Sequence, residues 1–358
     1  MIDPADEKKL SRQALSGETT GLSREPGKMR IKGEYGMSNK ITKIAGICIL
    51  PFLVFFVFFF LADGFGFHTI PIIISQSMIP TTLGLAMACV MPAGLMDFSP
   101  GARMIFGAIC GGMLGNAWGI PGLLIGAFAG AMAGGIVIAL LYRFLRIPSM
   151  VVSLGVVLVL EAFGDRFASA IVGSATINIP GSLSALAAYP RNVIFTVIAA
   201  LIFYYVSYKT KLGCLINATG NDEAMLKSMG VDVDSVKFKA FTISGIFCFF
   251  AAVLQICYSG TVTSMTSMST MSMVFKPMMG VLIAMELVKI FDCMPLMIFI
   301  GEVVIQTVFN GFIAMGWTDN IQNIILGVFL ILVLGISENM ENINEWRRKR
   351  AVRRSAGA

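Results

Sequence analysis

The chain is poor in charged residues and has a single histidine, His68. Asp, Glu, Lys and Arg make up 13% of its 358 residues, against roughly a quarter in soluble proteins. No Gly-x-x-x-x-Gly-Lys-Ser/Thr phosphate loop occurs, and the seven cysteines show no paired spacing typical of metal or redox sites. We therefore predict no catalytic residue, no metal and no cofactor, and we rank a membrane enzyme below a transporter.

Long apolar segments make up most of the chain. Apolar residues make up 56% of the chain, and several windows stay apolar for about 18 residues, a length that crosses a bilayer. This predicts an all-α polytopic membrane protein with about ten transmembrane helices. The net charge of +6 lies mainly in the tails and in the loops of one side, as membrane topology requires, so it does not indicate nucleic-acid binding.

The hydropathy pattern divides the chain into three segments. Residues 1–43 are polar and predict a disordered cytoplasmic tail, residues 44–337 predict the transmembrane domain, and residues 338–358 form a basic cytoplasmic tail. Because cytoplasmic flanks collect Lys and Arg, both termini are assigned to the cytoplasm, and Arg103 is counted with that side. An even number of spans is consistent with this charge distribution.

Glycines recur at every fourth residue in two neighbouring apolar runs. The first series is Gly107, Gly111 and Gly115, and the second is Gly122, Gly126, Gly130 and Gly134. This spacing places the glycines on one face of each helix, where two backbones can approach closely. We predict that the two helices pack against each other as scaffold.

Polar side chains interrupt the second apolar run and the segment after it. Gln76 and Ser77 fall at mid-membrane depth, where they either line a water-filled path or hydrogen-bond between packed helices. Both interpretations stay open. Prolines and glycines then break the helix around Asp97 and Ser99, which we predict to cap the helix that follows.

Acidic residues in the later spans are predicted to lie near helix ends. Glu161 and Asp165, beside Arg166, are assigned to the outer mouth of the fifth span, where local salt bridges are expected. Glu302 is assigned near an end of the ninth span, where the cost of inserting a charge is small.

The longest polar interruption runs from Lys211 to Gly245. Its pattern predicts a helix start at Asn221 or Asp222, a short helix, a stop at Gly230 and a helix restart near Asp234 or Ser235. A short helix that is capped at both ends is rigid and can transmit force. The charge pattern places this loop in the cytoplasm.

The letters ATGNDEAMLKSMGVDVDSVKFKAFTISG in this loop resemble a known family. This is the family of permease subunits in bacterial ATP-binding-cassette (ABC) importers for ribose and other monosaccharides, related to those for branched-chain amino acids. LGLAMACVMPAGLMDFSPGA, IPSMVVSLG and VFNGF extend the resemblance over about residues 70–336. It implies that the short helix docks on a cytoplasmic ATPase. The matching positions are Gly220, Asn221, Glu223, Ala224 and Gly230.

The resemblance also implies partners. They are one or more cytoplasmic ABC ATPase subunits, a second permease subunit, an extracytoplasmic solute-binding protein and the lipid membrane. Relatives carry a Gly-Gly-Thr/Ser turn and further glycines in the eighth span, whereas this chain keeps only Gly280 there and introduces Lys276, Glu286 and Asp292. We predict that the second permease subunit is non-identical.

Two functions are weighed. The first is a permease subunit of the bacterial inner membrane, not an enzyme, that passes a small neutral solute, expected to be a monosaccharide. The candidate path residues are neutral hydrogen-bonding types: Gln76, Ser77, Ser153 and Asn310. The second is an ion- or proton-coupled secondary transporter, a class that places ionisable residues near the midplane, where this sequence is poor in acids.

Overall fold

The computed structural model describes residues 49–62, 64–145, 147–318, 321–322, 324–325, 327–328 and 331. Both predicted tails lie outside these residues. The helices are α1 (Ile49–Leu61), α2 (Ile70–Ala88), α3 (Pro100–Leu145), α4 (Ser149–Val172), α5 (Gly181–Ser184), α6 (Arg191–Tyr204), α7 (Lys211–Asn221), α8 (Glu223–Ser228), α9 (Val233–Ser259), α10 (Ser272–Val288) and α11 (Met294–Ala314). Strands β1 (Thr176–Asn178) and β2 (Thr261–Thr263) form a short antiparallel ribbon with Ile177 opposite Val262.

The described chain is an all-α polytopic membrane protein apart from this ribbon. Six of its helical segments are long and apolar enough to cross a bilayer. They are Phe67–Ala93, Pro100–Leu145, Arg191–Lys209, Val233–Ser259, Ser269–Val288 and Met294–Ala314. Helix α4 has 24 residues and is long enough to span, but it carries three charged residues in its second half.

Helix α3 is a hairpin of two arms, residues 100–118 and 120–145. Gly119 joins them with φ 69° and ψ −146°, a backbone conformation that residues other than glycine rarely adopt. The glycine series of the two arms face each other: Gly130 lies against Gly107, and a Cβ on Gly126 would overlap the carbonyl of Cys110. The predicted close packing of the glycine faces is confirmed.

Helix α9 packs against both arms of α3 and forms the centre of the bundle. At one contact the backbones of Gly135 and Gly245 meet, because neither residue has a side chain to separate them. The amino-terminal end of α9 adjoins α8, and its carboxyl-terminal end leads into β2. We call these two ends of the bundle the loop end and the ribbon end.

A buried ion pair joins the α2–α3 connection to this centre. Arg103 donates from Nη2 to Asp97 Oδ2 at 2.5 Å and from Nη1 to Ser244 Oγ at 2.7 Å, while Asp97 Oδ1 accepts from Ser99 N–H at 2.8 Å and from Ser99 Oγ at 2.7 Å. The assignment of Arg103 to the cytoplasmic flank was wrong: its side chain is fully buried inside the bundle. The adjacent carboxylate makes this burial possible, because a paired charge loses far less on leaving water than a lone one.

Glu161 and Asp165 anchor the chain between β2 and α10. Glu161 Oε2 accepts from Met268 N–H at 2.7 Å, and Oε1 accepts from the N–H and hydroxyl of Thr270 at 2.8 and 2.6 Å. Asp165 accepts from Ser264 Oγ at 2.6 Å. The expected local salt bridges were wrong, since neither carboxylate has a salt bridge to any part of the chain that is described. Backbone N–H groups of the turn and the hydroxyl groups of Ser264 and Thr270 supply the donors instead.

Candidate functional site

At the loop end, α8 is a six-residue helix fixed at both ends. Asp222 Oδ1 accepts from Met225 N–H at 2.9 Å, and Gly230 reverses the chain with φ 79° after the last turn. The predicted start and stop are confirmed. The restart lies slightly earlier than predicted, because Asp232 caps α9 by accepting from Ser235 N–H at 3.1 Å.

Glu223 ties α8 to α9. Its Oε1 lies 2.8 Å from Lys227 Nζ on the same helix, and its Oε2 lies 2.8 Å from Lys237 Nζ on α9. These hydrogen bonds, from Lys227 and then Lys237, hold the pKa of Glu223 below its ordinary value. The carboxylate therefore turns back towards the bundle and links α8 to α9.

The other residues predicted at this element occupy distinct positions. Asn221 ends α7 and is exposed, as is Ala224 on α8. Gly220 packs against the carbonyl of Pro92, where a Cβ would overlap it, so α7 rests directly on the α2–α3 connection. Sequence reasoning missed the large apolar side chain of Met225 on α8, which is 59% exposed. Its position three residues after the cap was the available signal.

A cleft opens at the ribbon end between α2, α9, α10 and α11. It has two adjoining chambers of about 560 and 300 Å³. Asn310 Nδ2 donates to Gln76 Oε1 at 2.8 Å across the smaller chamber, and Lys276 Nζ lies 4.1 Å from the ring centre of Phe309. The structure therefore brings together two of the four predicted path residues in one cleft.

Ser77 and Ser153 lie elsewhere. Both are fully buried, and each hydroxyl donates to a carbonyl of its own helix, Ile73 and Met150 respectively, at 2.7 and 2.8 Å. Neither lines the described cleft. These hydroxyls are satisfied locally, without a helix partner or water, an option that the sequence interpretation did not include.

Two further carboxamides, Gln255 and Gln306, line both chambers of the cleft. Sequence reasoning missed both. Gln306 is four residues from Asn310, so helical periodicity places it on the same face, and this was a usable signal. Gln255 lies on α9, and no local pattern relates it to α11.

A second cavity of about 350 Å³ lies at the loop end. Tyr208 forms its polar wall: the hydroxyl donates to Asp292 Oδ1 at 2.9 Å and accepts from Met294 N–H at 3.0 Å. Asn217 of α7 also lines it. This cavity therefore lies directly between the bundle and the element that carries α8.

Glu302 does not lie near a helix end, contrary to the prediction from the sequence. It lies in the middle third of α11 and is fully buried, and neither carboxylate oxygen has a hydrogen-bond partner among the described residues. Space for it comes from Gly280, where a Cβ would overlap the carboxylate, and from Gly84, where a Cβ would lie 3.4 Å from Oε1. The expectation of a helix-end position was therefore wrong, because glycines on two other helices admit the side chain at depth.

The match to known proteins covers most of the described bundle. The family model described as "Branched-chain amino acid transport system / permease component" matches residues 69–334. The chain belongs to this permease family. Members of the family are transport permeases, and the chain is accordingly a multi-pass protein of the bacterial inner membrane.

Among similar curated permeases are three import proteins. The fructose import permease protein FrcC of Rhizobium meliloti is 25% identical, with 56% of this chain and 59% of the relative covered. The galactofuranose transporter permease protein YtfT of Escherichia coli (strain K12) is 28% identical, covering 54% and 58%. The autoinducer 2 import system permease protein LsrC of Enterobacter sp. (strain 638) is 30% identical, covering 56% and 60%. Each match spans less than two thirds of the relative's length, and no solved structure matches.

In this permease the two cavities and α8 are separate parts of one bundle. Across the described ranges no three His, Cys, Asp or Glu side chains converge as metal ligands do. The permease has instead a cleft lined by carboxamides at the ribbon end and the short capped helix α8 at the loop end.

Proposed function

We propose that the chain is the transmembrane permease subunit of an ABC importer. It forms the translocation path and has no catalytic role, while a separate cytoplasmic ATPase hydrolyses ATP. The observation that carries the proposal is α8, with Asp222 and Gly230 at its ends and Glu223 tied to α9. Such a rigid protrusion can pass movement of a docked ATPase into α9 and the bundle.

The proposal includes a topology of ten spans with both termini in the cytoplasm. The two arms of α3 each count as a span, and α4, α1 and the helical residues between 321 and 331 complete the number. Residues 1–43 are the cytoplasmic amino-terminal tail, 44–337 the permease domain and 338–358 the basic carboxyl-terminal tail. The loop end then faces the cytoplasm and the ribbon end faces outward.

We assign the ribbon-end cleft to solute entry from an extracytoplasmic binding protein. Carboxamides donate and accept hydrogen bonds without carrying charge, which suits the hydroxyl groups of a monosaccharide. Gln76 and Asn310 are the leading contacts, and Gln255 and Gln306 join them. The relatives named for fructose and galactofuranose transport support a sugar as the solute.

A second, non-identical permease subunit completes the proposed path. This proposal is supported by α10, which differs from the glycine-rich span of the relatives. In α10, Lys276 enters the cleft, and Glu286 pairs with Lys289 at 2.7 Å near the loop end. The test is affinity capture with two differently tagged copies of this chain. An active assembly that contains both tags and no other permease would overturn this part.

One observation favours a second candidate function, a proton-coupled secondary transporter. Buried Glu302 in mid-span is the kind of acid such transporters use. Proteoliposomes separate the two functions: uptake driven by a proton gradient without any ATPase supports this candidate, and uptake that needs ATP and the ATPase supports the importer.

The decisive experiment measures ATP hydrolysis in nanodiscs that contain this chain, a candidate permease partner, a candidate ABC ATPase and a candidate binding protein. Glu223→Arg is compared with Glu286→Arg, since both glutamates pair with a nearby lysine but only Glu223 lies on α8. We expect Glu223→Arg to abolish stimulation by the binding protein and Glu286→Arg to keep it. Equal stimulation in both variants would refute the coupling role of α8.

A further inference from the structure

Glu302 occupies a layer of the bundle that separates the two cavities. We call this layer the septum and define it by Gly84 of α2, Gly280 of α10 and Glu302 of α11, which are in contact. The close approach is aided by Gly301, which packs on the backbone of Gly280. The carboxyl group thus lies against glycine backbones, and the apolar side chains of Ile298 and Val281 also lie close to Gly84.

The ribbon-end cleft stops just above the septum on all three helices. Its deepest lining residues there are Leu83, Pro277 and Gln306. Leu83 directly precedes Gly84, and Gln306 is four residues from Glu302, which is about 6 Å along a helix. The cleft therefore ends about one helical turn from the carboxyl group.

The loop-end cavity starts below the septum on the same three helices. It is lined there by Ala88, Val288 and Met294. Met294 is eight residues from Glu302, about 12 Å along α11, and Ala88 is four residues from Gly84. A line from one cavity to the other between α2, α10 and α11 therefore passes Glu302.

The physical cost of this arrangement calls for an explanation. A buried polar group without a hydrogen bond costs free energy, and an apolar side chain of similar size in its place is neutral or stabilising. Stability therefore does not account for a glutamate in the septum, nor for the glycines that make room for it. A partner that arrives only during the transport cycle does account for both.

We propose that Glu302 is a solute-binding residue in the middle of the translocation path, and that it binds solute hydroxyl groups when the septum opens. The inference rests on the proposed importer function. It assigns to the path a carboxyl group, a type that does not occur among the described residues lining the ribbon-end cleft. Its oxygens accept hydrogen bonds from a solute rich in hydroxyl donors. The septum thereby selects against solutes that lack such donors.

Transport by the assembled importer in proteoliposomes is the first test, with radiolabelled D-ribose, D-fructose and D-galactose as probes. Glu302→Leu removes the acceptor, and we expect it to lower ATP-driven uptake about tenfold, the ratio that one hydrogen bond to the solute provides. Glu302→Gln keeps an acceptor and retains most of the uptake. Thr307→Val is the matched control, a buried polar-to-apolar change on the same helix away from the septum, and it leaves uptake unchanged.

Chemical labelling is the second test and needs no solute. A water-soluble carbodiimide with glycine ethyl ester modifies carboxyl groups that meet water, and peptide mass spectrometry locates the product. Glu286 is exposed and serves as the internal positive control in every state. We expect Glu302 to be unmodified without nucleotide and modified while the importer hydrolyses ATP, and Glu302→Gln to give no product at this position.

The outcomes separate this inference from the function on which it rests. If the native assembly hydrolyses no ATP, the importer proposal falls and the assignment of Glu302 falls with it. If it hydrolyses ATP and moves a sugar while Glu302 stays unmodified and Glu302→Leu transports normally, only the septum assignment is overturned. A merely structural Glu302 gives this second result.

Discussion

Asp97 and Glu302 are two acidic side chains buried in one helix bundle with opposite surroundings. Asp97 accepts three hydrogen bonds, from the N–H and hydroxyl of Ser99 and from Arg103. Glu302 accepts none from the residues that the structure describes. The first carboxylate is built into the resting fold, because each donor offsets part of its desolvation. The second lies against glycines and has no donor among the described residues, so hydrogen bonding in this structure does not offset its desolvation.

The comparison is tested most strongly by removing the counter-charge of Asp97. Arg103→Met leaves that carboxylate buried and unpaired, and we expect the free energy of unfolding to fall by about 3–5 kcal/mol. Denaturant-induced unfolding in detergent micelles measures it. The double variant Asp97→Leu with Arg103→Met removes both charges and is expected to recover most of the loss. A double variant as unstable as the single one would contradict the pairing argument.

A third buried acid, Glu161, extends the comparison to a carboxylate that accepts hydrogen bonds from backbone N–H groups. Glu161→Ala leaves the N–H groups of Met268 and Thr270 without their acceptor, and we expect a loss of about 1–3 kcal/mol. Hydrogen exchange is expected to rise across residues 264–271 and to stay unchanged in α9. Glu161→Gln, which keeps one oxygen acceptor, serves as control and falls between native and Ala. Unchanged exchange in the Ala variant would show that the turn holds itself.

For Glu302 the expected sign is reversed. Glu302→Leu removes a buried carboxyl that has no described partner, so we expect no loss of stability and a gain of about 1 kcal/mol. The same unfolding assay measures it, with Asp97→Leu as the matched change at a satisfied carboxylate. If Glu302→Leu destabilised the chain as strongly as Asp97→Leu, the contrast between the two acids would disappear.

The smallest effect is expected at Glu223, which is partly exposed. Glu223→Gln weakens the contacts to Lys227 and Lys237 and costs less than about 1 kcal/mol. Because folding lowers the pKa of Glu223, its contribution is complete above the ordinary glutamate pKa and disappears as the pH falls through the lowered value. Melting temperatures of the native and Gln chains should therefore differ at neutral pH and converge in acid. A difference that persists at low pH would assign the effect to something other than these ion pairs.

The predictions that the structure confirms came from local sequence patterns. The cap at Asp222, the stop at Gly230 and the glycine series of α3 depend on residues close in the chain, where spacing alone determines the geometry. The failures involve distant partners. Arg103 pairs with Asp97, six residues away, and also binds Ser244, 141 residues away. Counting the basic residues beside each span does not detect such contacts.

The same reason explains the cleft and the septum. Gln76 and Asn310 were selected by residue type, and the structure places them within hydrogen-bonding distance although 234 residues separate them. Ser77 and Ser153 have the same chemistry but point their hydroxyls at their own helices. The face of an apolar helix that turns towards a cavity depends on its neighbours, and periodicity in a uniformly apolar span does not reveal it.

The single-residue joint at Gly119 has a consequence for how the chain is made. With arms of 19 and 26 residues on either side, nearly no connecting chain remains at the ribbon end, and no charged residue lies near the joint to hold it on one side of the membrane. We therefore expect the two arms to insert into the bilayer as a pair, packed against each other along their glycine faces. In a chain truncated inside the second arm, the glycine face of the first arm would have no complete partner.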